Sequence, residues 1–390
     1  MVKELIISSY LLIFKLVFNL CKQFKLKKKL TFVISYEENA HFLYKELIKQ
    51  SMSIDIIILC KTSTKSDLQH IFQEAKIYTF ESKNILHWLL SIYHLATSKI
   101  IIIDNYFAFL SAITFKKNVE CIQIWHAAGA LKTFGLQDKS VRKRSNKAQR
   151  RFRKVYKQFH KVVVGSEEMA HIFMESFHIS ANHILPTGIP RTDLFYDEQL
   201  TSQIKGKLYS RFPLLKHKQK ILYAPTFRHG QLNNYNIKLD LDKLYEKLRG
   251  DYILILKLHP MVKVNVDYER TYKGFIVDLS SYKSTNELLM ITDYLITDYS
   301  SIPFEYAILQ KPMIFYPYDL KIYQQEQGVI QDYETTVPGP IANDTEEIIE
   351  FILTHPFNDE LILQFYNRWN EHSKGNSSNR LVQYILTKIT

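Results

Sequence analysis

Acidic residues are scarce in this chain: 39 Asp and Glu stand against 51 Lys and Arg, a formal net charge of +12. That surplus calls for an anionic partner, whether nucleic acid, a phosphate-bearing ligand or an anionic membrane. Cysteine is scarcer still. Cys21, Cys60 and Cys121 are widely spaced, which excludes a disulfide framework and a zinc-type ligand set and points to a reducing compartment. No Gly-x-Gly-x-x-Gly follows the first apolar strand, so a standard dinucleotide site is disfavoured, and no Gly-x-x-x-x-Gly-Lys-Ser/Thr loop indicates an NTPase. There is no convincing internal repeat and no low-complexity tract.

A chain of 390 residues suits two domains of similar size. Its 46% hydrophobic and 13% aromatic content fills two cores. Residues 4–21 are mostly apolar, interrupted by Lys15 and Asn19, and Lys22, Lys25, Lys27, Lys28 and Lys29 follow. The run is short and charged for a spanning helix. An apolar helix with a basic flank fits an interfacial anchor on anionic lipid. The rivals are a signal peptide, for which no small-residue cleavage site follows, and a helix buried against its domain.

From Leu30 onward, continuous apolar strands alternate with helices, the pattern of a parallel sheet covered on both faces. The strands read as 30–35, 54–60, 77–80, 100–104, 121–125 and 162–166. A polar, lysine-rich passage spans about 190–219, and the alternation then restarts with strands 220–223, 252–258, 275–278, 294–296 and 313–316. The fold class is α/β: two doubly wound Rossmann-like domains facing a cleft, the GT-B architecture, with an N-terminal membrane-associating helix. The boundaries are 1–29, 30–195 and 196–390, and the last helix has the option of packing back on the N-terminal domain.

Open α/β sheets bind ligands beyond the carboxyl ends of their strands. The segment Tyr294–Pro317 reads as strand, polar turn, helix and strand. Its turn, Thr297-Asp298-Tyr-Ser300-Ser301, offers hydroxyls and free helix amides to a phosphate, and Glu305 reaches a ribose. An ordinary capped helix with no ligand is the alternative. His126, ending Cys121-Ile-Gln-Ile-Trp-His, suits a general base or a structural histidine under a loop. Lys132 steadies a phosphate or is merely solvated. His259, with Lys257 two residues earlier, suits a donor to a phosphoryl oxygen or a core histidine. The Arg228 fork matches a phosphate or a surface ion pair. Gly188 and Arg191 lie in a Gly/Pro turn near the hinge. The basic helix 142–161 suits nucleic acid, lipid headgroups or plain solvent. Asp240 and Asp242 have a metal-type spacing, but capping explains them more simply.

Taken in order, Trp125-His126 with its Gly-Lys turn, Thr187-Gly-Ile-Pro-Arg-Thr-Asp193, Ala224-Pro-Thr-Phe-Arg228, Lys257-Leu-His-Pro260 and Thr297-Asp-Tyr-Ser-Ser301 with Phe304-Glu305 resemble the motifs of the CDP-glycerol glycerophosphotransferases. The resemblance covers residues 120–340 well and the N-terminal third only in pattern. It implies metal-independent, cofactor-free transfer of glycerol phosphate from CDP-glycerol to a lipid-linked hydroxyl in wall teichoic acid synthesis, peripheral to the cytoplasmic face of the membrane, with no nucleic-acid partner. It implies an acceptor role for the N-terminal domain and CDP-glycerol binding for the C-terminal one. By resemblance His126 is the base and His259 the second essential histidine. Arg228, Lys257, Thr297, Asp298, Ser300, Ser301, Glu305, Lys132, Gly188 and Arg191 are then substrate contacts. Trp125-His-Ala-Ala-Gly-Ala-Leu-Lys132 differs from the polymerases' Trp-His-Gly-Thr-Pro-Leu-Lys and resembles the priming enzymes. These add the first glycerol phosphate to an undecaprenyl-diphosphate-linked ManNAc-GlcNAc. The alternatives are a glycerol- or ribitol-phosphate polymerase, a nucleotide-sugar transferase of the same architecture, and a non-enzymatic nucleic-acid or membrane-binding protein.

Overall fold

The computed structural model describes residues 2–50, 54–81, 83–228, 235–259, 261–262, 266–329, 332–355 and 357–389. Pro260 of the fourth motif lies outside them. The chain divides into two compact units. Unit 1 comprises Met1–Ala128, Phe134–Asp193 and Glu371–Thr390; unit 2 comprises Gly129–Thr133 and Leu194–Asn370.

Unit 1 is built on a seven-stranded sheet: β1 (Lys27–Val33), β2 (Asp55–Cys60), β3 (Lys76–Thr79), β4 (Ser98–Ile103), β5 (Glu120–Gln123), β6 (Lys161–Val163) and β7 (Ile184–Leu185). Their order is β3-β2-β1-β4-β5-β6-β7, and every pairing is parallel. Ile100 to Ile103 are fully buried, as are Leu30 and Phe32, because helices cover both faces. The order reverses between β1 and β4, so the segments after those strands part to opposite faces and leave a crevice at their carboxyl ends.

Several expectations shift in detail. The first strand starts at Lys27, so Lys27 to Lys29 belong to the sheet; Lys27 and Lys28 stay exposed at its start, whereas Lys29 is withdrawn from the basic flank. Lys29 is 1% exposed and donates to Thr97 Oγ1 at 2.6 Å. The basic segment 142–161 is not one helix: it runs from the end of the helix Lys139–Arg142 through a second helix, Asn146–Tyr156, to the start of β6 at Lys161, because Ser145 takes up the Ala148 amide and starts a new helix. The passage 190–219 contains a helix, Glu198–Arg211, capped by Asp197.

The N-terminal helix Val2–Cys21 docks on unit 1 by one face. Phe14 and Phe18 are buried; Phe14 stacks on Phe109 at 5.1 Å and meets Trp88 edge-on at 6.0 Å. Glu4 pairs with both terminal nitrogens of Arg151 at 3.1 Å. Leu5, Ile6, Leu12, Ile13, Leu16 and Leu20 are each more than half exposed. Among the described residues this is the one helix long and apolar enough to cross a membrane by length and composition, with a mean hydropathy of 1.7 over Glu4–Cys21.

The closing helix Ser377–Ile389 belongs to unit 1. The Asp193 carboxylate takes the amides of Ser377 and Ser378 at 2.8 Å each, a cap supplied from the Gly188 turn. Gly188 has φ +84°, and a Cβ there would stand 2.4 Å from the His372 carbonyl oxygen. Only glycine fits such a site.

Unit 2 carries a five-stranded parallel sheet: β8 (Gln219–Tyr223), β9 (Tyr252–Leu256), β10 (Ile276–Asp278), β11 (Tyr294–Thr297) and β12 (Met313–Phe315). Its order, β10-β9-β8-β11-β12, reverses between β8 and β11. One core joins Ile221, Leu254, Leu256, Ile296 and Ile314 with Leu244, Leu248 and Ile348 from the helices.

Candidate active site

In unit 1 the topology gathers what the sequence scatters. Ser35 and Tyr36 follow β1, Asp104 follows β4, and His126 follows β5. The His126 Nδ1 lies 3.1 Å from the Asp104 carbonyl oxygen. A carbonyl only accepts, so Nδ1 carries the proton and Nε2 is the basic nitrogen of the neutral ring. The imidazole stacks on Tyr36 at 4.6 Å and on Trp125 at 4.5 Å, which holds its plane. Trp125 itself has φ +49°, a conformation that costs a bulky residue about 1–3 kcal/mol. The surroundings hold it there. Its amide donates to Gln123 Oε1 at 2.8 Å, and its carbonyl accepts from Asn39 Nδ2 at 2.9 Å. Arg191 is buried, donates from Nη1 to the His126 carbonyl at 2.9 Å, and gives its own amide to Asn39 Oδ1 at 3.1 Å. Arg191 thus supports the backbone that presents His126, whereas the backbone at Gly188 lies against the His372 carbonyl. The fully buried Asp104 carboxylate takes the Ser35 and Tyr36 amides at 2.8 and 2.6 Å. Burial pushes its carboxyl up to about 7, against those amide bonds, which favour the charged form.

In unit 2 the turns after β8, β9, β11 and β12 meet at the reversal point. Arg228 sits at its centre. Nε and Nη2 make a bidentate pair with Asp319, both bonds 2.8 Å, and Nη2 also reaches Asp298 Oδ2 at 2.9 Å. Its guanidinium lies 4.8–5.2 Å from the ring centres of Tyr299, Tyr318 and Tyr323. Asp298 takes the Thr226 and Tyr299 amides at 2.7 and 2.6 Å. Thr297 Oγ1 donates to the Ala224 carbonyl at 2.7 Å. Thr297, Asp298 and Arg228 therefore lock two strand-end turns together. Lys257 is likewise committed, donating to the Ser280 and Tyr282 carbonyls at 3.0 and 2.6 Å.

What faces solvent differs. Ser301 is the N-cap of the helix Ile302–Tyr306 and makes no side-chain cap bond. Ser300 Oγ accepts the Ile302 amide at 3.3 Å, leaving its O–H as a donor. His259 is exposed, and its Nδ1 accepts the Met261 amide at 3.2 Å, which puts the ring proton on Nε2. Partial burial, then the charges of Lys257 and Lys132, lower its pKa, so it is neutral at pH 7 and donates from Nε2. Lys132 is exposed on a strand-like bridge to Val329. Gly129, earlier in that loop, belongs to the same unit; a Cβ there would meet the Phe304 ring at 2.4 Å. Glu305 is 2% exposed, so a ribose contact requires it to turn outward. The described residues contain no cluster of three or more potential metal ligands.

The structure thus brings His126 and Arg191 together in unit 1, with Gly188 in the turn just before Arg191, and the other nine site residues in or beside the strand-end turns of unit 2. Sequence reasoning passed over Tyr36, Asn39, Asp104 and Asp319. Asp104 carried the same signal as His126, a polar residue closing an apolar strand; Tyr36 and Asp319 lie in turns and Asn39 in the first turn of the helix Glu37–Lys49, and only the topology supplies their partners.

Parallel sheets with polar strand-end turns at both reversal points define a doubly wound α/β protein whose ligands sit at those turns. The chain belongs to the CDP-Glycerol:Poly(glycerophosphate) glycerophosphotransferase family, whose model matches residues 15–387, and it is accordingly a transferase. It is 38% identical over 389 residues to a teichoic acid glycerol-phosphate primase of Bacillus subtilis, with all of both chains covered. It is 31% identical to a teichoic acid ribitol-phosphate polymerase of Staphylococcus aureus, covering 96% of this chain and 65% of that one. Among solved structures, the wall teichoic acid polymerase TagF matches with a TM-score of 0.78 at 23% identity, over 93% of this chain and 90% of that one. A Neisseria meningitidis UDP-GlcNAc 2-epimerase matches with a TM-score of 0.58 at 15% identity, over 92% of this chain and all of that one.

Proposed function

We propose that this enzyme primes teichoic acid synthesis. It moves one glycerol phosphate from CDP-glycerol to a hydroxyl of a disaccharide carried on undecaprenyl diphosphate, ManNAc-GlcNAc by the resemblance, and releases CMP. The acceptor proton passes to Nε2 of His126. The acceptor oxygen bonds to the glycerol-bearing phosphorus as that phosphorus loses its bond to the cytidylate oxygen. The Nε2–H of His259, Lys132, the Ser300 and Ser301 hydroxyls and the amides opening the helix Ile302–Tyr306 carry the diphosphate charge. Such preorganised donors supply most of the rate. Arg228, Lys257, Thr297 and Asp298 act by holding those donors in place; Arg191 does the same for His126. The exposed apolar face of the helix Val2–Cys21 supports peripheral attachment to the cytoplasmic face of the membrane.

The observation that carries this reading is the 38% identity over 389 residues to a glycerol-phosphate primase. The test is mass analysis of the product formed on a synthetic disaccharide diphospholipid with CDP-glycerol or CDP-ribitol. One added glycerol phosphate is expected, with CMP released and CDP-ribitol unused. A ladder of added units, or turnover of CDP-ribitol, overturns the priming reading.

A further inference from the structure

Unit 1 holds a cavity of about 930 Å³ that the transfer reaction does not use. It is lined by Lys99 at the start of β4, Val119 and Glu120 at the start of β5, and His160 just before β6. It therefore opens at the amino edge of the sheet. His126 follows the opposite end of β5, at least a strand length away, roughly 13 Å. Five lysines line the cavity, Lys99, Lys116, Lys117, Lys157 and Lys388, against one carboxylate, Glu120, which accepts from the Tyr384 hydroxyl at 2.7 Å. Lys99 and Lys116 donate to the carbonyls of Ile389 and Phe24 and hold the walls. Lys117, Lys157 and Lys388 are exposed. The His160 Nδ1 accepts the Cys121 amide at 3.0 Å, so its Nε2 carries a proton.

The rim says what kind of anion fits. Leu26 lines the cavity, and Lys22 donates to the Thr114 carbonyl at 2.8 Å, tying the end of the N-terminal helix to the cavity wall. Leu16, Leu20 and Phe24 lead up to that point and are 57–70% exposed. A cationic pocket at the end of an exposed apolar row matches a molecule with a phosphate head and acyl chains; a soluble phosphate has no use for the row.

We propose that this cavity binds the phosphate head of an anionic membrane lipid, whose chains lie along the outer face of the helix Val2–Cys21. The proposal rests on the reading of that helix as membrane-attached. Lysines near an anionic membrane contribute about 1 kcal/mol each, so three of them give roughly a hundredfold. The test is flotation of the full-length protein with vesicles of phosphatidylcholine alone or with phosphatidylglycerol added. Lys117→Gln/Lys157→Gln/Lys388→Gln should lose tenfold or more of its binding to phosphatidylglycerol vesicles, with phosphatidylcholine binding unchanged and the thermal transition intact. Lys45→Gln/Lys49→Gln/Lys61→Gln removes equal charge elsewhere on unit 1 and should lose threefold or less. An equal loss in both triple variants means diffuse attraction and overturns the pocket. Displacement of the protein from phosphatidylglycerol vesicles by millimolar glycerol 3-phosphate, absent in the pocket variant, assigns the cavity to a soluble phosphate and also overturns it. Leu12→Glu/Leu16→Glu should abolish binding to both vesicle types. If it leaves both unchanged, the helix reading fails, and the lipid site with it, whereas failure of the lysine arm alone spares the helix.

Discussion

Replacing Arg228 with methionine keeps much of the side chain's bulk and deletes its charge. The native guanidinium makes three hydrogen bonds to two carboxylates and one to the Thr226 carbonyl. The Asp298 and Asp319 side chains are 2% and 17% exposed, so the variant leaves two like charges in a poorly solvated turn. Removing one partner of a buried ion pair costs about 3–5 kcal/mol. Asp298 retains two amide donors, which places the expected loss at the lower end. For a unit of this size each kcal/mol lowers the midpoint by about 2–4 °C, so the transition of unit 2 should fall by roughly 6–12 °C. Calorimetry and urea unfolding measure it. Adding Asp319→Asn should recover part of the loss, a coupling of about 1–3 kcal/mol. A variant melting within a degree or two of the native protein, with no coupling to Asp319, refutes the view that Arg228 is the clasp of these turns.

Two further perturbations test the frame around the site. Gly129→Ala pushes a methyl into the Phe304 ring, itself packed on Trp369 and Phe365, and should cost about 1–3 kcal/mol by overpacking; Gly129→Ala/Phe304→Leu should regain stability in urea titrations. Burial, then a neighbouring lysine, pushes His41 and His94 down to about 4 in the folded chain. The unfolded histidines titrate near 6.5, so their contribution is complete above 6.5 and lost as pH falls through 4. Stability measured across that window should decline by a few kcal/mol at most, and His94→Gln should make the decline shallower.

Strand positions were legible because a continuous apolar run such as Ile100 to Ile103 has no place but a covered parallel sheet. Polar residues at strand ends, His126, His259, Asp298 and Ser300, were legible for the related reason that such ends carry ligands. The two-residue strand Ile184–Leu185 was too short to leave a pattern. The break at Ser145 was hidden because a run of basic residues reads as helix throughout, and only the cap reveals the restart. The commitment of Arg228 to Asp298 and Asp319 was illegible for a different reason: the partners lie 70 and 91 residues away, and an arginine at a strand end reads the same whether it awaits a phosphate or is already paired. Lys29 shows the converse, a lysine in a basic run whose buried place is set by the register of β1 against β4.

His126→Ala bears most directly on the account as a whole. General-base catalysis contributes about 10²–10⁴-fold, and the donor contacts assigned to unit 2 do not involve this ring. Titration calorimetry should find CDP-glycerol bound by the variant as by the native enzyme, while single-turnover transfer to the lipid-linked disaccharide falls by at least a hundredfold. Transfer at near the native rate, with binding intact, contradicts the assignment of the base and the mechanism built on it.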